Sequence, residues 1–347
     1  MAPGPLPFSG GNGASYKERQ GQAARRAATA SKPGEDAARV QKCMTPPASA
    51  YPGDRRPPAL RRCWLFLPGA DERALTSAIG CGADVLIQEL EDFTPPEQRI
   101  GARALAADLF VRWRTVGIVA AVRINPLEGE GRTDLEAVMR GRPDIVVMSK
   151  VAEPRQVVAL DGEVTRLEQA LAIPAGSTEL VPNVESARGV LNAHAIGKAS
   201  ARVTGVLGST EDMAADLGAP RSKTAIELAY ARQRLHFECT AAGVLSIDCP
   251  YTFADLEGAE SDARYARQLG YVAKSAVDPE HVAAINRVMT PSAAEISEAH
   301  AIIAAFEAAR AAGQERARQG DLLIEVPTYF SAKRLVARAA ALGVEGA

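Results

Sequence analysis

Two stretches place carboxylates where an apolar run stops. In "TELVPNVES" the acid is Glu185, and in "LGSTEDMAADLG", after "RVTGV", the acids are Glu211, Asp212 and Asp216. A third run, "VRIN", ends on Arg123 and Asn125. Oxygen ligands without His or Cys favour Mg²⁺, which takes one or two protein carboxylates and keeps several positions for water and substrate oxygens. Glu185 and Asp212 are the best-placed pair for it. Arg123 suits a substrate carboxylate or an enolate oxygen, because its planar fork holds such groups bidentately. A competing reading makes 207–218 a helix start, with Ser209 or Thr210 as the cap and acids favoured in the first turn. Glu211 then answers only to the helix dipole, and Asp216 has no assigned role.

Residues so far apart meet only if a fold gathers them. From Arg62 onward, "CWLFLPG", "DVLIQELED", "GIVAAVRINP", "DIVVMSKV", "TELVPNVES", "RVTGVLGST", "GVLSIDCP" and "GYVAKSAVDP" recur with helical patterns between them. Each is short and rich in Val, Ile and Leu rather than alternating, as strands covered on both faces are. Segments such as "KTAIELAYARQRLHFECTAAG" carry apolar residues at the three- and four-residue spacing of amphipathic helices. Eight such alternations predict a (β/α)₈ TIM barrel over residues 59–290. A doubly wound open sheet is disfavoured, since no G-x-G-x-x-G follows the first strand. A long Ala-rich helix, a short extended piece and a last helix form a C-terminal helical extension over 291–347. It can cap the mouth, contact a neighbouring subunit or close the bottom.

Functional groups of such barrels come from the C-terminal ends of the strands. That rule gathers Glu89, Glu91, Asp92, Arg123, Asn125, Ser149, Lys150, Asn183, Glu185, Ser186, Glu211, Asp212, Asp248, Lys274 and Asp278 on one rim. So many acids repel one another unless a cation or an anionic substrate organises them. Purely structural roles are open to several: Glu91 and Asp92 as partners of Lys150 or Arg123, Lys274 as an interior ion-pair partner, and Asp248 as a cap before Pro250.

Composition narrows the partners. The 347 residues are 47% hydrophobic and 24% charged, and 40 basic against 42 acidic residues leave a net charge of -2. No overall field draws nucleic acid or anionic lipid, so the expected ligand is small. Five cysteines lack C-x-x-C spacing and four histidines lack H-E-x-x-H spacing, which fits a reducing cytoplasm and a site without histidine-bound metal. No apolar run approaches the roughly 20 residues of a membrane helix. Residues 1–58 are rich in Gly, Pro, Ser, Ala and Arg and are predicted to be a disordered tail. The tail lacks the apolar core of a signal peptide, Glu18, Glu35 and Asp36 count against a transit peptide, and Met44 is an alternative start.

The motifs "RCWLFLPG", "LEDFTPPEQRIGAR", "VRINP", "SKV", "NVESARGVLNA", "GSTEDMAADLG", "LSIDCPYTFADLEG" and "YVAKSAVDPEHVAAIN", in this order, resemble the citrate lyase beta-subunit-like branch of the HpcH/HpaI aldolases, with malyl-CoA and citramalyl-CoA lyases among its members. The resemblance implies a Mg²⁺-dependent carbon-carbon lyase assembled as homotrimers or homohexamers. It implies Glu185 and Asp212 as metal ligands, Arg123 and Glu185 at the substrate, and Glu325 of "LIEVP", where Asp is usual, as the acid that protonates an enolate in a neighbouring subunit's site. The implied reaction is a retro-Claisen or retro-aldol cleavage of a 2-hydroxy acid, or its acyl-CoA thioester, into a 2-oxo acid and an acyl product. Alternatives are an aldolase on free acids without CoA and the lyase subunit of a larger complex. Two stretches depart from the family pattern: "PGADERAL" puts Asp71 and Glu72 where relatives carry a basic residue near CoA, and "AKSAVDP" has Ala273 and Asp278 where relatives often read "GK" and "HP".

Overall fold

The computed structural model describes residues 55–314, 316–344 and 346. The tail expected over 1–58, with Glu18, Glu35, Asp36, Cys43 and Met44, lies outside the described residues as far as residue 54. Eight parallel strands follow: β1 Cys63–Pro68, β2 Val85–Glu89, β3 Val119–Ile124, β4 Ile145–Met148, β5 Glu179–Val184, β6 Gly205–Gly208, β7 Leu245–Asp248 and β8 Ala273–Ala276. β1 also pairs with β8, so the sheet closes into a TIM barrel. Each strand lies in one of the eight predicted runs. No described helix is long and apolar enough to cross a membrane.

Strand pleating sorts the side chains onto two faces. Trp64, Ile87, Ala121, Val181, Ile247 and Ala273 pack together inside the barrel. Their sequence neighbours, such as Leu65, Leu86 and Val122, pack into the layer shared with the helices. Two residues beyond Ile87, Ala121 and Val181 come Glu89, Arg123 and Asn183, on the inner face at the C-terminal ends of β2, β3 and β5. One residue beyond Ile247 and Ala273 come Asp248 and Lys274, which therefore face outward.

The N-terminal end is plugged by charge pairs. Arg61 lies 2.6 Å from Glu179, both almost fully buried, and Arg55 pairs with Asp144 and Glu179. Burial alone raises the Glu179 pKa, but Arg61 and its neighbours outweigh burial and hold it below the ordinary value.

The C-terminal extension comprises the helix Ala293–Ala311, an antiparallel hairpin of β9 Ala317–Gln319 and β10 Leu322–Ile324, and the helix Val326–Ala341. Its own small core holds Ile302, Ala309, Ile324 and Ala332, with Phe306 stacked on Tyr329 at 4.5 Å. Arg338 donates to the carbonyls of Ala59, Val272 and Met289, which anchors the last helix at the N-terminal end of the barrel.

Gly131 opens the helix Gly131–Val138 beneath the mouth, and a Cβ there would sit 2.1 Å from the carbonyl oxygen of Asn125. Backbone cannot yield as a flexible side chain does, so Gly131→Ala is expected to cost about 1–3 kcal/mol. Urea unfolding reads this as a lower midpoint at unchanged slope.

Candidate active site

β2, β3 and β5 aim Glu89, Arg123 and Asn183 into the C-terminal mouth, and the loops after β2, β4 and β6 add Glu91, Lys150 and Asp212. Arg123 is the hub. Its Nε donates to Glu89 at 2.8 Å, and its Nη atoms lie 3.3 Å from Glu91, 3.6 Å from Asp92 and 3.6 Å from Glu185. The rings of Phe66 and Phe93 flank the guanidinium at 5.0 and 5.8 Å. Burial works against its charge, yet Glu89, Glu185 and Glu91 together raise its pKa above the usual value. Glu89 also accepts from the amides of Glu91 and Phe93, which ties the β2 loop to the same carboxylate.

Glu185 is buried just beyond β5 and accepts from Asn183 Nδ2 at 2.6 Å through Oε1, while its Oε2 has no partner. Burial pushes its carboxyl up to about 8. Arg123 opposes that shift, and the carboxylates of Asp212 and Glu91 add to it. Burial likewise raises the Glu91 pKa against Arg123, even though Lys150 donates to Glu91. Asp212 follows β6 in the short helix Glu211–Asp216, where Ser209 Oγ donates to its Oδ2 at 3.0 Å. A cavity of about 90 Å³ is lined by Phe66, Arg123, Asn183, Leu207 and Asp212, among others.

The helix-cap reading of 207–218 holds in position: Thr210 is the N-cap residue of the helix Glu211–Asp216, and Glu211 and Asp212 stand in its first turn. No side chain caps it, because the Thr210 hydroxyl donates instead to the Pro250 carbonyl at 2.6 Å. Glu211 accepts from Thr252 and Arg221, and Asp216 accepts at 2.7 Å from the Ala187 amide, the first of a helix that Ser186 caps.

Several expected rim residues are elsewhere. Asp248 and Lys274 point out of the barrel, where Lys274 Nζ lies 2.7 Å from Asp248 and 2.5 Å from Asp262, and Arg232 lies 2.6 Å from each of these acids. Asn125 holds Asp134 and the Leu90 carbonyl, Ser149 holds the Ile124 carbonyl, and Asp278 caps a 3₁₀ turn. Glu325 is exposed at the N-cap of the last helix and does not line this cavity. Phe66 and Phe93 escaped the sequence reading, since an aromatic residue in an apolar run reads as core. Asn183 stood on the rim but had no role, although period-two spacing from Val181 puts it on the inner face.

The mouth gathers Glu89, Glu91, Asp92, Glu185 and Asp212, five carboxylates, around two cations, Arg123 and Lys150. A buried carboxylate oxygen without a partner, next to a second acid, fits a hard cation. Among the described residues no cluster of three or more His, Cys, Asp or Glu is arranged to hold a metal. Glu185 with Asp212 beside it suits an ion that keeps water and substrate oxygens in its other positions, as Mg²⁺ does.

Residues 62–279 match the HpcH/HpaI aldolase/citrate lyase family. The citrate lyase subunit beta of Haemophilus influenzae is 31% identical over 282 residues, 81% of this chain and 97% of that protein. A (3S)-malyl-CoA thioesterase of Cereibacter sphaeroides is 32% identical over 289 residues, 81% of this chain and 95% of that protein. The structure of the citrate lyase beta subunit from M. tuberculosis, complexed with oxaloacetate and magnesium, superposes with a TM-score of 0.56 at 26% identity, covering 67% of this chain and 99% of the other.

Proposed function

Since the chain belongs to the HpcH/HpaI aldolase/citrate lyase family, a family of lyases and aldolases, we propose that it cleaves the carbon-carbon bond of a 2-hydroxy acid, carried as an acyl-CoA thioester, into a 2-oxo acid and an acyl product. The observation that carries this reading is the unpartnered, buried Oε2 of Glu185, a carboxylate that feels the charge of Asp212 and whose Oε1 lies 3.6 Å from the Arg123 guanidinium. Glu185 and Asp212 would hold Mg²⁺, which when bound would supply a Lewis acid to the substrate.

The remaining work falls to side chains. Arg123 is already oriented by Glu89 and flanked by two rings, so it meets the developing enolate oxygen with little reorganisation. Arg123→Lys keeps the charge and loses the fork, and is expected to lower kcat/KM on the order of 10²-fold or more in a steady-state assay. Glu325 protonates the enolate in the site of a neighbouring copy. It is exposed and does not line the cavity of its own barrel, which supports a role outside its own mouth. A homotrimer or homohexamer supplies that neighbour.

One observation favours a second reading, an aldolase on free acids. The loop after β1 exposes Asp71 and Glu72, and Asp71 caps the helix Glu72–Ser77, so this loop offers an anionic thioester carrier two acids with only Arg73 beside them. The test is to incubate the protein and Mg²⁺ with malyl-CoA, citramalyl-CoA, citryl-CoA and the free 2-hydroxy acids, and to measure released 2-oxo acid. Release from a thioester supports the CoA reading. Release from free acids alone replaces it with the second, and release from neither class rejects both.

A further inference from the structure

We propose that Asn183 is the group that distinguishes a 2-hydroxy acid from a 2-oxo acid in this cavity, its Oδ1 accepting a hydrogen bond from the ligand's hydroxyl. The proposal rests on the substrate class argued above.

Asn183 Nδ2 donates to Glu185 Oε1 at 2.6 Å, which turns the amide oxygen away from Glu185. Asn183 is 1% exposed and lines the cavity, and its Oδ1 has no partner. A buried acceptor without a donor is costly to keep and calls for an explanation. The hydroxyls that line the cavity are engaged elsewhere, Ser209 on Asp212, Thr210 on the Pro250 carbonyl and Thr252 on Glu211, and Arg123 is directed at Glu89, Glu91 and Glu185. A bound ligand can bring the donor that Oδ1 lacks. A hydroxyl supplies one, whereas a 2-oxo group presents a second acceptor, so the same oxygen welcomes the substrate and disfavours the product that would otherwise linger.

The test compares lactate, as both enantiomers, with pyruvate, which share a carboxylate and differ at the 2-oxygen. Dissociation constants come from calorimetry at saturating Mg²⁺, on the full chain. Asn183→Leu is expected to lower the preference for the better-bound lactate over pyruvate by roughly 5- to 20-fold, the loss of one hydrogen bond. Asn183→Ala tests the same point if the leucine variant fails to fold. Loss of the Asn183–Glu185 contact acts on the ion and weakens both acids alike, so the ratio of affinities is blind to it. Mn²⁺ affinity, measured by electron paramagnetic resonance without organic ligand, reports that contact separately. An unchanged ratio overturns the proposal and leaves Asn183 as a support for Glu185. If the wild-type protein binds neither acid with Mg²⁺ present, the substrate class itself is wrong and this proposal falls with it.

Discussion

Asp212→Ala and Glu185→Ala are each expected to lower Mg²⁺-dependent kcat/KM by on the order of 10³-fold or more, while the barrel stays folded. An ion held by two protein carboxylates loses half of its protein ligands in either variant. Glu185→Ala also removes a burden. Its carboxyl is pushed up to about 8 by burial, above the carboxylate range it has in the unfolded chain. An acid whose folded value is raised binds its proton more tightly when folded, so it contributes stability at low pH that is lost as pH rises towards about 8. The metal-free wild type should therefore lose stability across that window. Mg²⁺ should offset the loss, and Glu185→Ala should flatten it. Urea unfolding at a series of pH values, with and without Mg²⁺, reads all three effects. Near-normal turnover by either variant would show that the ion is held elsewhere.

The second large effect lies in the barrel wall. Lys274 is fully buried against Asp248 at 2.7 Å and Asp262 at 2.5 Å, and Arg232 closes the quartet. Burial opposes the charge on Lys274, but Asp248 and Asp262 keep its pKa above the usual value. Lys274→Met leaves two buried carboxylates with one cation, and breaking such a network from one side costs about 3–5 kcal/mol. Lys274→Met combined with Asp262→Asn restores the charge balance, so the pair should cost less than the sum of the single changes. Equilibrium unfolding of the two single variants and the double tests this, and strictly additive costs would refute the coupling. Lys274 Nζ also donates to the Cys249 carbonyl at 2.5 Å, next to Pro250 in the cavity wall, so the single variant should lower turnover as well.

Much of the fold is legible in the chain because a parallel barrel covers both faces of each strand, and each strand then appears as a short Val-, Ile- and Leu-rich run between amphipathic helices. The run boundaries also locate the residues near the mouth, since strand ends deliver them there. Arg123, Glu185 and Asp212 could be ranked first on residue chemistry and position alone.

The same double coverage hides which way each residue faces. Asp212 and Asp248 both stand at the end of an apolar run, yet one lines the cavity and the other is locked against Arg232 and Lys274 in the wall. A strand buried on both sides carries no polar alternation to separate inside from outside. Barrel closure decides it: Val181 packs inward and brings Asn183 into the mouth, while Ile247 packs inward and turns Asp248 out. The carboxylates near this site are thus written in the sequence, and their division into cavity and wall belongs to the register of the closed sheet.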